Sequence, residues 1–173
     1  IGIIIILLVA LYAWYGGFHK VECRIEEQGG ELLVYKQMTG DYSKSAAMMD
    51  EVYNSLLKDY QIETYRGFGI YYDNPKTTDK EKLRSDVGCI LEVKDSAKVS
   101  LLKEKFLIKE YPLTNCIATA FPYKGKLSVF TGIMKVYPAI NRFVKENGYK
   151  EDGPIMEIYD VAGKKIYYRK NNE

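Results

Sequence analysis

One segment of the chain places a single carboxylate among apolar and aromatic residues. Residues 155–159 read Ile-Met-Glu-Ile-Tyr. Side chains alternate between the two faces of a strand, so Glu157 shares a face with Tyr159. If Met156 and Ile158 pack beneath helices, Glu157 faces a groove, where a carboxylate beside aromatic rings suits a desolvated cation. The alternative is a solvated glutamate on an open sheet face.

Five further aromatic residues are candidates for the walls of such a site. Tyr71 and Tyr72 are consecutive in a predicted strand, so at most one of them lines a groove on a given face. Tyr42, Phe121 and Tyr123 flank two glycine breaks and are placed to form a rim. The alternative for each is core packing or a cross-strand aromatic pair. The candidate ligand-binding residues are therefore Glu157, Tyr159, Tyr42, Tyr71, Tyr72, Phe121 and Tyr123.

The rest of the composition excludes several kinds of chemistry. The three cysteines show no CxxC spacing and the chain has one histidine, so we predict neither a disulfide framework nor a metal site. P-loop, GxSxG and HExxH motifs do not occur in the sequence. A formal net charge of +2 is too small for general nucleic-acid binding. We expect no cofactor and no nucleic-acid partner, and the sequence favours binding over catalysis.

The first 18 residues carry no charge. As a helix they would reach roughly 27 Å, close to the thickness of the hydrocarbon core of a bilayer. Tyr12, Trp14 and Tyr15 lie at the far end of this run, as in the aromatic belt of a spanning helix. The pattern predicts a single-pass transmembrane anchor over residues 1–18, on an undetermined side of the membrane. A cleaved signal peptide and a core element are the alternatives.

Residues 19–173 are predicted to form one α+β domain. Alternating and helical apolar spacings predict strands at 21–27, 31–38, 66–72, 87–93, 106–111, 116–121, 155–161 and 165–169, and helices at 43–60, 97–105 and 126–147. Pro138 should kink or divide the last helix. A β-α-β-β unit over about 31–93 and another over about 116–169 predict a duplicated repeat with pseudo-twofold symmetry. We expect an antiparallel sheet with helices on one face and a free, concave opposite face.

Several motifs, in a fixed order, carry a resemblance to a known family. They are Val34-Tyr35-Lys36 with Gly40-Asp41-Tyr42, Gly69-Ile70-Tyr71-Tyr72-Asp73-Asn74-Pro75, Val87-Gly88-Cys89-Ile90-Leu91, Ala118-Thr119-Ala120-Phe121-Pro122-Tyr123, Val136-Tyr137-Pro138-Ala139-Ile140 and Met156-Glu157-Ile158-Tyr159. Together they resemble GyrI-like domains, also called AraC-type effector-binding domains, over nearly the whole chain. With its apolar leader, the chain is most similar to a membrane-anchored branch that includes an ER-phagy receptor.

The resemblance implies the SHS2-type duplicated fold and a small-molecule site between the repeats, with an acidic residue at its base. We therefore expect a membrane-tethered, non-catalytic domain that binds a small hydrophobic or cationic aromatic molecule. One alternative is a protein-interaction or receptor module, and another is a hydrolase of reactive genotoxic molecules. The ligand and the oligomeric state are not determined by the sequence.

Overall fold

The computed structural model of the protein describes residues 2–92 and 98–171. The described strands are β1 Arg24–Gln28, β2 Leu32–Thr39, β3 Arg66–Tyr71, β4 Arg84–Leu91, β5 Leu107–Glu110, β6 Thr114–Pro122, β7 Ile155–Asp160 and β8 Lys165–Asn171. The α-helices are α1 Gly2–Trp14, α2 Ser45–Tyr60, α3 Val99–Leu102 and α4 Lys126–Asn147. Each predicted element of the domain has a counterpart here. Val93 and Ala97, where a predicted strand ends and a predicted helix begins, lie outside the described residues.

The strands form one antiparallel sheet in the order β1-β6-β8-β7-β3-β4-β2-β5. The register places Val34 and Cys89 on the same face as Ile166 and Phe121. α2 packs against the first pair and α4 packs against the second. Both long helices therefore cover one face of the sheet, which confirms the predicted α+β architecture.

The central part of the other face of the sheet is filled by its own side chains. Its buried cluster contains Leu33, Tyr35, Phe68, Ile70, Ile90, Met156 and Ile158. Leu33, Phe68 and Ile90 are 0% exposed, although α2 and α4 lie on the opposite side. The predicted free, concave face is therefore wrong over the central strands, where apolar packing occupies it.

A strong curl of the sheet explains this burial. In a flat sheet β1 and β2 would lie about 29 Å apart, since six strand spacings separate them. Residues 29–31 are all that connects β1 to β2, and such a link reaches about 14 Å. The two edges of the sheet must therefore approach each other. Gly29 lies where they meet, with φ of 138° and space for a Cβ blocked by the Pro112 carbonyl oxygen at 2.1 Å.

An ion pair crosses the interior of this curl. The guanidinium of Arg169 on β8 donates to both carboxylate oxygens of Glu31, at 2.7 and 3.0 Å. The side chains are 9% and 12% exposed. Burial raises the pKa of Glu31, but the hydrogen bonds and charge of Arg169 outweigh that effect and hold it below its usual value. Because Glu31 directly precedes β2, the pair joins strands that a flat sheet would hold about 19 Å apart.

The apolar N-terminal run forms a shorter helix than its sequence predicts. α1 has 13 residues, or about 20 Å, and it is followed by Gly16 with φ of 85°. Gly16 is buried against the ring of Phe121, and the ammonium of Lys124 lies 4.3 Å from the centre of the Trp14 ring. Among the residues that the structure describes, no helix combines the length and the apolar composition needed to cross a bilayer. The predicted transmembrane anchor and single-pass membrane localisation are therefore wrong.

Candidate functional site

Glu157 lies on β7, on the face of the sheet that α2 and α4 cover, and it is 2% exposed. Met156 and Ile158 belong to the cluster on the opposite face. The assumption that these two residues pack beneath the helices is therefore reversed, although their separation from Glu157 is confirmed. The cross-strand neighbours of Glu157 are Gly69 on β3 and Tyr168 on β8.

Two tyrosines donate hydrogen bonds to the Glu157 carboxyl group. The hydroxyl of Tyr137 donates to Oε1 at 2.7 Å, and the hydroxyl of Tyr159 donates to Oε2. Tyr137 lies on α4 and immediately precedes Pro138. α4 is continuous from Lys126 to Asn147, so this proline does not divide the helix. The unbroken helix places Tyr137 directly against β7.

Tyr71 reaches the same site by lying across Gly69. A Cβ on Gly69 would lie 2.7 Å from the Tyr71 ring, so a larger residue would displace that ring. Tyr42 packs edgewise on Tyr71, with ring centres 4.8 Å apart. The Tyr42 hydroxyl accepts from the Asp73 N–H at 3.0 Å and donates to the Arg84 carbonyl at 2.9 Å. These bonds fix Tyr42 at the border of the site.

Tyr168 and Ser45 are also buried beside this group. The Tyr168 ring centre lies 6.3 Å from that of Tyr137. Ser45, the first residue of α2, lies next to Tyr71. Within the described part of the chain, neither the Tyr168 hydroxyl nor the Ser45 hydroxyl has a hydrogen-bond partner. We use the term tyrosine–glutamate cluster for Glu157, Tyr71, Tyr137, Tyr159 and Tyr168.

The cluster is electrostatically unusual because no cationic side chain of the described residues pairs with its carboxyl group. Burial raises the pKa of Glu157, and the hydrogen bonds from Tyr159 and Tyr137 oppose this only in part. Burial, and then the neighbouring Glu157, raise the pKa of all four tyrosines. The ion pairs that the described residues form do not include Glu157. The carboxyl group is therefore held next to neutral hydroxyls alone.

The other sequence-predicted site residues have different positions. Tyr123 borders the cluster, with its ring centre 6.4 Å from that of Tyr159. Phe121 is 1% exposed and packs in the core beneath α4. Tyr72 lies on the opposite face of the sheet, where its hydroxyl donates to Asp86 at 2.7 Å. The structure thus brings Glu157, Tyr159 and Tyr71 together, with Tyr42 and Tyr123 at the border.

Sequence reasoning missed Tyr137 and Tyr168. The short turn at residues 161–164 sets the register of β7 and β8, and that register places Tyr168 opposite Glu157. Tyr168 could therefore have been found from the hairpin. Tyr137 depends on where α4 lies over the sheet, for which the local sequence carries no signal.

The carboxyl group of Glu157 is not accessible from either of two surface grooves in this structure. One groove, of about 380 Å³, lies beside β1 and β6 and is lined in part by Arg24, Ala118 and Phe121. Another, of about 410 Å³, lies at Tyr65 and Ala162. Glu157 lines neither groove, and tyrosine hydroxyls cover both of its carboxyl oxygens. A ligand that contacts the carboxyl group must therefore displace at least one tyrosine.

Comparison with known proteins shows which family the chain belongs to. Human testis-expressed protein 264 is 29% identical to the chain over 170 residues, covering 91% of this chain and 52% of the relative. The chain thus spans about half the length of that relative. Among solved structures, the EcmrR C-terminal domain matches with a TM-score of 0.60 at 10% identity, covering 88% of this chain and 98% of that one.

SAV2435 bound to tetraphenylphosphonium matches with a TM-score of 0.55 at 13% identity, covering 86% of this chain and 92% of that one. At such identities these two likenesses show the fold alone. The family model described as the GyrI-like small molecule binding domain matches residues 21–171. The chain therefore belongs to the GyrI-like small-molecule-binding domain family.

Proposed function

We propose that this domain binds a small hydrophobic or cationic aromatic molecule at the tyrosine–glutamate cluster, without catalysing a reaction. The observation that carries the proposal is a fully buried Glu157 that meets tyrosines and no basic side chain among the described residues. An isolated buried carboxylate is costly unless a cation pairs with it, and tyrosine rings attract cations. The small-molecule-binding family and the tetraphenylphosphonium held by SAV2435 support this ligand class.

In this proposal Glu157 and Tyr159 form the floor of the site, and Tyr71, Tyr42 and Tyr123 form its walls. Two residues are not part of the proposed site. Tyr72 lies on the opposite face of the sheet, and Phe121 lies in the core. The hydroxyls of Tyr168 and Ser45 supply two hydrogen-bonding groups that are not otherwise used by the described residues.

Access to the site requires movement near Tyr137. Pro138 has no backbone N–H, so the helical hydrogen bond to the Met134 carbonyl is missing one residue beyond Tyr137. This missing bond makes α4 easier to deform at the point that covers Glu157. We therefore propose that displacement of Tyr137 opens the site.

Titration with tetraphenylphosphonium, followed by tyrosine fluorescence, tests the proposal. Glu157→Gln keeps the shape of the side chain and removes its charge. We expect this variant to weaken binding by about 1.5–3 kcal/mol, the scale of a hydrogen-bonded charged partner. Glu146→Gln, at an exposed position on α4, is the matched control and should bind like the wild type. Equal affinities for all three proteins, or no binding by any of them, would contradict the proposal.

We also propose that the two halves of the domain arose by duplication. The element order β2-α2-β3-β4 recurs as β6-α4-β7-β8, and the sheet positions of the two halves mirror each other about the central pair β3 and β7. Superposition of residues 32–91 on residues 114–171 checks this proposal. Matching paths of all four elements would support it, and a mismatch in the helix positions would argue against it.

A protein-interaction module is the second candidate function. The observation that favours it is an exposed apolar stripe on α4, formed by Leu127, Phe130, Ile133 and Met134, which are 43–64% exposed. Such patches are common at protein interfaces. If this function operates alone, Glu157→Gln leaves association with protein partners unchanged. The double variant Phe130→Ser with Met134→Ser then impairs that association.

A further inference from the structure

The titratable groups that meet in the tyrosine–glutamate cluster are all acidic, and they come from three strands and one helix. Glu157 and Tyr159 come from β7, Tyr71 from β3, Tyr168 from β8 and Tyr137 from α4. From α2, the residue that meets the cluster is Ser45, which does not titrate. The hydroxyl of Tyr42 is bonded to the backbone of residues 73 and 84. In this group, one carboxyl and four phenols face one another.

The basic residues of the surrounding elements are engaged elsewhere or exposed. On α4, Lys135 donates to the Gly17 carbonyl, Lys145 pairs with Glu151, and Lys126 and Arg142 are exposed. On β8, Arg169 pairs with Glu31, Lys170 donates to the carbonyls of Asp152 and Gly153, and Lys165 is exposed. On β3, Arg66 pairs with Glu92, and on α2, Lys58 is exposed. None of these described cations is available to Glu157.

A proton must therefore balance the charge of Glu157 when the site is closed. A buried carboxylate without a cation is strongly disfavoured, so the carboxylic acid is the stable form. The tyrosines cannot provide an exchangeable proton at neutral pH, because burial raises the pKa of each of them further. The Glu157 proton is thus the one in the cluster that an incoming cation can replace.

We infer that the site exchanges the Glu157 proton for a cationic ligand, so that each bound cation releases a proton to solvent. The O–H bond of the carboxylic acid breaks, the proton passes to water, and the charge of the ligand balances the carboxylate. The net charge of the complex then equals that of the free protein. This inference rests on the proposed binding function and adds that cations, unlike neutral ligands, are bound at the expense of a proton.

The exchange predicts how the affinity for a cation depends on pH. Below the pKa of Glu157, the affinity for a cation rises about tenfold per pH unit, because deprotonation precedes pairing. Above that pKa the affinity levels off. A neutral ligand of similar shape shows no such slope, since it leaves the proton in place.

Isothermal titration calorimetry of the full chain tests this exchange. Tetraphenylphosphonium is titrated below the pKa of Glu157 in two buffers with different protonation enthalpies, and triphenylphosphine oxide is the neutral probe. We expect about one proton released per cation by the wild type and by Glu146→Gln. We expect none for Glu157→Gln or for the neutral probe. An infrared band of a protonated carboxyl should be present in the wild type, absent from Glu157→Gln, and lost when the cation is added.

The outcomes separate this inference from the proposed function. Cation binding without proton release, or without the infrared band in the free protein, overturns the exchange while leaving the binding function intact. Failure of both probes to bind overturns the binding function and the exchange together. Proton release that persists in Glu157→Gln assigns the proton to another group and overturns the inference.

Discussion

At the scale of single residues, Glu157 links protonation to folding. Its pKa is raised in the folded protein, chiefly by burial, so the folded chain holds this proton more tightly than the unfolded chain. The stabilising effect of that proton is fully present below the unfolded pKa. It is lost as the pH rises through the folded pKa. The contribution of Glu31 to stability has the opposite pH dependence. Arg169 lowers the pKa of Glu31, so this contribution is lost as the pH falls.

Glu157→Gln should therefore stabilise the domain at neutral pH. Glutamine does not ionise, so the variant avoids the cost of keeping Glu157 protonated at a pH above the unfolded pKa of glutamate. We expect a gain on the order of 1 kcal/mol that shrinks as the pH is lowered towards the unfolded pKa of glutamate. Urea unfolding of wild type, Glu157→Gln and Glu146→Gln at a series of pH values measures this difference. A gap that does not change with pH would show that the pKa of Glu157 is the same in the folded and the unfolded chain.

At the scale of elements, the sequence predicted which strands and helices form but not every packing partner. Alternation correctly separated Glu157 from Met156 and Ile158. It could not decide which set faces the helices, because an apolar pair fits equally well inside the curl of the sheet. The curl itself depends on β1 pairing with β6, a contact between residues about 90 positions apart that local patterns do not encode. The N-terminal run was assigned too long a helix, because apolarity alone does not show where a helix ends.

The contact between α4 and β8 gives a prediction about packing. A Cβ on Gly132 would lie 2.6 Å from the Tyr168 hydroxyl and 3.2 Å from the Phe121 ring, and both rings are fully buried. Alanine favours a helix by about 1 kcal/mol, but overpacking a rigid core costs about 1–3 kcal/mol. We therefore expect Gly132→Ala to destabilise the domain by about 1 kcal/mol, the middle of the net range of roughly 0–2 kcal/mol.

The Tyr168→Phe variant completes a double-mutant cycle with Gly132→Ala. It removes a buried hydroxyl that has no bond to the described residues, so alone it should be neutral or slightly stabilising. In its background, Gly132→Ala should cost less than in the wild type. A double-mutant cycle from thermal unfolding measures the coupling, and Asn141→Ala is an exposed control on the same helix. Strict additivity would mean that α4 shifts to accommodate the methyl group.

At the scale of the whole molecule, the pair of Glu31 and Arg169 holds the curled sheet together. Glu31→Gln leaves a buried guanidinium without its counter-charge, so we expect a loss of about 3 kcal/mol in the free energy of unfolding. The double variant Glu31→Gln with Arg169→Met removes both charges and should cost less than the single one. Chemical denaturation of the three proteins checks this order. A double variant that is the least stable would show that Arg169 stabilises the fold through contacts other than the pair with Glu31.

The pairing of β1 with β6 also has a consequence for the synthesis of the chain. Among the described strands β1 pairs only with β6, and β6 follows it by about 90 residues. At a translation rate of about 5–20 residues per second, β1 leaves the ribosome roughly 5–20 s before its partner exists. During that interval its backbone edge is open to incorrect pairing, although the charges at Arg24, Glu26 and Glu27 oppose aggregation. β1 therefore waits for β6, and this pair joins the other described strands only through β8 and β7, which are synthesised last of the eight.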